Sequence, residues 1–184
     1  MFIKNYKIKS KICDGLIKCF NENKNFQRKG VLGAEHVVNK EKKDSIDLEA
    51  IHIVDNINVI NYLQELDKCI QEYKKTFEFC DKGQVPWSIT ESPIIQKYKP
   101  KGAYKVWHYE NNGNPNCIKR HLVFMTFLND VPGGGTMFKY QKLTVPAKKG
   151  LTLIWPTDFT HTHKGQISKT HEKYIVTGWF TFNH

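Results

Sequence analysis

The sequence predicts an α+β fold in which amphipathic helices come first and a β-rich half follows. Three observations carry this. Apolar residues recur at three- and four-residue steps in two stretches before position 80; beyond Gly83 and Pro86 short runs of alternating apolar and polar residues take over; and Gly, Pro and Asn clusters separate those runs. Short strands at such spacing close into a sandwich or barrel, a double-stranded jelly roll being one solution, with the helices bracing the larger sheet from outside. At 184 residues the chain is one domain by size and buries a sizeable core. Residues 1–90 read as a helical and irregular support region of that domain, and residues 91–184 as its β core.

Taken in order, Ile12, Cys13, Leu16, Ile17 and Phe20 predict a helix over 10–21 with Ser10 as N-cap. Residues 22–54 are polar and broken, contain the charged run Lys42-Lys43-Asp44-Ser45-Ile46-Asp47, and are expected to form loops with an irregular strand or two. Val59, Leu63, Leu66, Ile70, Tyr73 and Phe77 step by threes and fours, which predicts the clearest helix, packed on the back of the sheet. Strands are expected over 94–98, 104–110, 120–128, 136–140, 151–155 and 174–182. Turns at 99–102, 111–116, 132–135 and 148–150 separate them.

Composition narrows the function classes. Lys and Arg number 28 against 18 Asp and Glu, a net charge of +10, but the lysines are spread along the chain and read as a solvated basic surface. A nucleic-acid partner has no arginine-rich block or aromatic-basic signature to support it. The five cysteines, Cys13, Cys19, Cys69, Cys80 and Cys117, form no C-x-x-C pair and read as reduced, structural thiols. The first ten residues carry Lys4, Lys7 and Lys9 and no signal-peptide core, and no window approaches a membrane span, so a soluble, cytoplasmic setting with no membrane partner is expected. Gly133-Gly134-Gly135 lacks the Lys-Ser/Thr of a phosphate loop and reads as a tight turn into Thr136. No Ser-His-Asp or Cys-His pattern supports nucleophilic hydrolysis.

The chemistry concentrates in Tyr104-Lys105-Val106-Trp107-His108-Tyr109-Glu110. On an extended strand Tyr104, Val106, His108 and Glu110 share one face, so His108 and Glu110 can reach one metal ion, and a metal would compensate a carboxylate otherwise buried against apolar neighbours. The competing reading is an edge strand with Glu110 in water. Two neutral imidazoles and one carboxylate on one side of a metal form the facial triad of non-haem Fe(II) oxygenases. Parity leaves the second imidazole open between His161 and His163, which would share a strand face, with His171 nearby.

Tyr98-Lys99-Pro100, His108-x-Glu110, Leu128-Asn129-Asp130, Gly134-Gly135-Thr136-x-Phe138, Pro146 with Gly150, His163-x-Gly165, Lys173-Tyr174 and Gly178-Trp179 occur in this order over nearly half the chain. Over this stretch it resembles the prolyl-4-hydroxylase-like branch of the 2-oxoglutarate and Fe(II)-dependent dioxygenases. The resemblance implies a double-stranded β-helix (jelly-roll) core braced by the N-terminal helices. In that family a basic residue lies about ten positions after the distal metal histidine and pairs with the far carboxylate of 2-oxoglutarate. Lys173 is ten after His163 and twelve after His161, so the implied Fe(II) ligands are His108, Glu110 and His163; His161 becomes a neighbour, and His171 and His184 bystanders. Tyr98 and, more loosely, Thr177 are the implied companions of Lys173 at the cosubstrate, and Arg120 and Trp179 fall at the substrate mouth.

The implied activity uses O2, with ascorbate as an optional reductant, to hydroxylate a C–H bond and release succinate and CO2, a prolyl residue of a peptide or protein being the first-choice substrate. Two alternatives stay open: a jelly-roll binding or structural protein without redox activity, and an oxygenase acting on nucleic acid or a free amino acid. The resemblance implies nothing about oligomeric state. One departure stands out: the family usually has aspartate where this chain has Glu110, and the extra methylene moves the carboxylate outward by about 1.5 Å.

Overall fold

The computed structural model describes residues 1–32 and 37–183, which leaves His184 outside the described residues. In chain order the elements are β1 (Lys4–Lys7), α1 (Ser10–Glu22), β2 (Arg28–Lys29), β3 (Ile46–Glu49), α2 (Ile57–Thr76), β4 (Trp87–Ser88), β5 (Ile94–Tyr98), β6 (Arg120–Phe127), β7 (Val131–Phe138), β8 (Leu143–Ala147), β9 (Leu151–Pro156), β10 (His163–Gly165) and β11 (Lys173–Phe182). The large sheet runs β1-β9-β6-β11-β5-β3-β2 with β4 beside β11, the small sheet runs β10-β7-β8, and the pairings are antiparallel. This is the double-stranded β-helix expected from the sequence.

The central strands β6, β9 and β11 are covered on both faces. One parity of the large sheet, including Val123, Met125, Phe127, Leu153, Trp155 and Ile175, packs on Val131, Phe138, Val145 and Ala147 of the small sheet. The other parity, including Leu122, Phe124, Ile154, Val176 and Phe180, packs under α1 and α2 through residues such as Leu16, Phe20, Leu66 and Ile70. β6 is therefore almost continuously apolar, since neither face meets water. One polar thread crosses this layer: the Tyr62 hydroxyl lies 3.1 Å from Thr126 Oγ1, which lies 2.8 Å from Thr152 Oγ1. Leu66 is fully buried on the sheet-facing stripe of α2. Leu66→Ala is expected to cost about 2–5 kcal/mol through lost burial and a residual cavity, read as a lower denaturant midpoint with an unchanged m-value.

Several local expectations are corrected. Ser10 does not cap α1 but begins it; Lys9 is the cap residue and supplies no side-chain hydrogen bond. The run Gly133–Gly135 is not a turn before a strand, because it lies inside β7, where the β7–β8 register shifts between Val131 and Thr136. Gly133, at φ 66°, takes the left-handed conformation that this bulge needs. Tyr140 falls beyond the end of β7. The stretch 104–110 is no continuous strand, and His161 and His163 do not share one: His161 ends a short 3-10 turn, Phe159–His161, and His163 opens β10.

Strands β1 and β8 escaped the pattern reading because both are edges. Residues Lys4–Lys7 are polar where one side meets solvent, and Pro146 sits in β8, which tolerates proline at the outer edge of the small sheet. All five cysteines are unpaired. No helix among the described residues is long and apolar enough to cross a membrane.

Candidate metal centre

The segment carrying His108 and Glu110 runs beside β10 as a distorted edge. Gly165 N–H donates to Tyr104 O at 2.9 Å, and His108 and His163 exchange both backbone hydrogen bonds, at 3.0 and 2.8 Å. Four steps from Tyr104 to His108 thus face two from Gly165 to His163, so the extra residues bulge and regular pairing is lost. The alternation survives locally: Trp107 and Tyr109 are exposed, whereas His108 and Glu110 turn inward.

The structure brings His108, Glu110 and His163 together, with one potential donor atom of each within 4.8 Å of the others. His108 Nε2 and His163 Nε2 each lie 3.5 Å from Glu110 Oε1. Each imidazole places Nδ1 against a backbone carbonyl two residues earlier, Val106 O at 3.0 Å and His161 O at 2.9 Å. A carbonyl only accepts, so Nδ1 carries the proton in the neutral ring and the Nε2 lone pair faces the carboxylate. Burial, followed by the neighbouring His108, lowers the His163 pKa; burial alone would raise that of Glu110, but hydrogen bonds and charge from His108 and His163, which act when a proton sits on Nε2, hold it well below the carboxylate range, and a bound metal would take the place of that proton. Two imidazoles whose Nδ1 is tied to a backbone carbonyl and whose Nε2 points at an ionised carboxylate are the arrangement a divalent transition metal requires, so the donor set fits Fe(II).

The second carboxylate oxygen of Glu110 faces Arg120. Glu110 Oε2 lies 3.5 Å from Arg120 Nη1, while Arg120 forms a two-pronged pair with Glu91, at 2.8 Å from Nε to Oε1 and 2.6 Å from Nη2 to Oε2. The guanidinium stacks 3.5 Å from the centroid of the Trp179 ring. Tyr104 stacks on His108 at 3.6 Å, and Trp155 meets His163 edge-on at 5.1 Å. The triad, Arg120, Trp179, Thr177 and Tyr98 all line one cavity of about 640 Å³.

Lys173 stands directly across from Tyr98 in the β11–β5 pairing. It is 5% exposed, yet its ammonium meets no carboxylate among the described residues. It donates to Gly134 O at 3.0 Å and Gln166 O at 3.3 Å and lies 5.1 Å from the centroid of the Tyr98 ring. Burial lowers its pKa to about 8. The indole N–H groups of Trp155 and Trp179 are also buried without an acceptor among the described residues. A buried cation without a carboxylate partner among the described residues, paired across the sheet with Tyr98 and close behind Gly165 of the cavity wall, fits an anionic ligand such as 2-oxoglutarate. Thr177 instead gives its hydroxyl proton to Phe124 O at 3.0 Å. His161 points away from the triad, with Nδ1 2.9 Å from Thr160 Oγ1, and His171 is exposed.

The sequence reading missed Glu91, Gln96, Asp47 and Lys43, all of which line the same cavity. Gln96 had a signal, since it shares the strand parity of Tyr98. Asp47 and Lys43 had none, because only the pairing of β3 with β5 brings that charged run to the site.

Residues 93–181 match the 2OG-Fe(II) oxygenase superfamily. The chain therefore carries a 2OG-Fe(II) oxygenase domain, and its enzyme class is that of a 2-oxoglutarate-dependent dioxygenase. Its fold is that of the prolyl hydroxylases. It is similar to the viral collagen prolyl hydroxylase of Paramecium bursaria Chlorella virus-1 in its 2OG complex, with 18% identity, TM-score 0.71, and 100% of this chain and 97% of that one covered. A prolyl-4-hydroxylase of Pseudomonas putida aligns with 13% identity and TM-score 0.73 over 99% and 93% of the two chains. A Trichoplax adhaerens prolyl hydroxylase, solved with a peptide fragment of the hypoxia inducible factor oxygen degradation domain, aligns with 13% identity and TM-score 0.74 over 97% and 83%. Curated protein sequences give no match.

Proposed function

We propose that His108, Glu110 and His163 hold Fe(II), that Lys173 binds the far carboxylate of 2-oxoglutarate, and that the enzyme hydroxylates a C–H bond of a peptide or protein, a prolyl residue first. The observation that carries this reading is the His-Glu-His cluster in the cavity wall together with a buried ammonium, without a carboxylate partner among the described residues, that sits behind Tyr98 of the same wall. When bound, ferrous ion and 2-oxoglutarate supply the oxidising chemistry, with O2 consumed and succinate and CO2 released.

The residues of the chain provide the rest. The Val106 and His161 carbonyls keep both imidazoles in the ligating tautomer. Arg120 faces Glu110 Oε2 while Oε1 faces the histidines. Phe138 and Trp155 pack on His163 and exclude water from its flank. Lys173 keeps its proton when a carboxylate arrives, because the new ion pair reverses the burial effect. Arg120 and Trp179, stacked at the cavity wall, present a flat cation–aromatic surface to a substrate entering beside Glu91. The neighbour solved with a peptide supports a peptide substrate, and ascorbate would serve as an optional reductant.

Anaerobic titration of the protein with Fe(II) and then 2-oxoglutarate tests the reading. A weak visible absorption band, saturating at one equivalent, is expected when the keto acid chelates the ferrous ion. Well-folded protein without that band would favour a binding protein that lacks redox activity.

A further inference from the structure

The charged run Lys42–Asp47, obscure in the sequence, ends at the wall of the cavity. Asp47 pairs with Gln96 across β3 and β5, and Gln96 precedes Tyr98 by two residues on the same face. Among the described residues, every side chain that hydrogen-bonds Asp47 donates to it: Ser45 Oγ at 2.7 Å to Oδ1, Lys43 Nζ at 2.8 Å to Oδ2, and Gln96 Nε2 at 3.3 Å to Oδ2. Gly30 makes room for this packing, since a Cβ there would lie 2.1 Å from Ser45 Oγ and 3.2 Å from Asp47 Oδ1. A salt-bridged carboxylate only accepts, so the Gln96 amide must turn its NH2 toward Asp47 and its oxygen toward Tyr98. The Tyr98 hydroxyl then gives its single proton to Gln96 Oε1, at 2.8 Å. Lone pairs alone remain for the cavity. Turning the proton inward would strip Gln96 Oε1 of its donor in a wall where Gln96 is 5% exposed.

We propose that Lys43, Asp47 and Gln96 form a positioning relay that commits the Tyr98 proton away from the cavity, so that the far carboxylate of the cosubstrate is held by Lys173 without a bond from Tyr98. The inference rests on the 2-oxoglutarate reading above and makes Gln96 the residue that limits cosubstrate affinity. Removing the amide frees the phenol to donate to the carboxylate, which is a gain that loss of a merely structural residue would not produce.

Calorimetric titration of 2-oxoglutarate into the Mn(II)-loaded protein tests this without turnover. Tyr98→Phe is expected to leave the dissociation constant within about twofold of the unsubstituted protein. Gln96→Met is expected to lower it about tenfold, the worth of one charge-assisted hydrogen bond, and the double variant is expected to lose that gain. A tenfold weakening by Tyr98→Phe, or no tightening by Gln96→Met, overturns the relay. Lys173→Ala separates the two levels: if the unsubstituted protein binds 2-oxoglutarate and Lys173→Ala binds it as well, the underlying reading fails; if Lys173→Ala weakens binding while Gln96→Met leaves it unchanged, only the relay fails.

Discussion

His163→Ala is expected to abolish 2-oxoglutarate turnover and to weaken Mn(II) binding by more than about a hundredfold, while His161→Ala keeps both within about threefold. The scale follows from outer partners of metal ligands, whose loss alone costs 10–100-fold; removing a donor costs more. The contrast follows from two rings separated by one residue. His163 is buried, carries its proton on the side facing His161 O, and aims Nε2 at Glu110. His161 spends Nδ1 on Thr160 and sits 3.6 Å from Asp158, at the edge of an apolar groove with Phe2. Succinate formation and calorimetric Mn(II) binding, measured on both variants, check this. Turnover surviving in His163→Ala but lost in His161→Ala would reverse the assignment.

Lys173→Met is expected to raise the 2-oxoglutarate dissociation constant about a hundredfold, as loss of one partner of a buried charged pair does, and to leave Mn(II) binding intact. The same change is expected to stabilise the ligand-free protein, by something on the order of 3 kcal/mol near neutral pH, because the burial that lowers the Lys173 pKa to about 8 from 10.5 penalises its charge. The sign in pH follows. Between about 8 and 10.5 the unfolded chain holds the proton and the folded chain does not, so the Lys173 contribution makes stability rise with pH through that window. Subtracting the denaturation profile of Lys173→Met isolates this slope. A bound dicarboxylate needs the ammonium, so cosubstrate binding takes up a proton above about pH 8, which calorimetry in buffers of different ionisation enthalpy detects. A destabilised Lys173→Met with unchanged cosubstrate affinity would mark the lysine as structural.

The legible parts of this fold were those set by local periodicity. The stripe Val59 to Phe77 became α2, and the apolar runs became β5, β6, β9 and β11 nearly to the residue, because burial of a face imposes its spacing on the chain. The His108-x-Glu110 pair converges as spacing predicts even though its strand is irregular, since two residues suffice for parity. The turn assigned to Gly133–Gly135 failed because glycine marks a bulge as readily as a reversal. Glu91 and Asp47 were invisible for a different reason: each reaches the cavity through a partner chosen by sheet pairing, Arg120 for one and Gln96 for the other, and single-chain spacing holds no record of such pairings.

The reciprocal backbone bonds between His108 and His163 have a thermodynamic consequence. They join two of the three candidate donors into one narrow antiparallel bridge, so the conformational freedom of those rings is surrendered when the polypeptide collapses and not when an ion is captured. Affinity at such a centre is spared the ordering penalty that ligands on wandering loops impose, and amide hydrogens at both positions should exchange slowly with deuterated solvent even in chelator-treated protein.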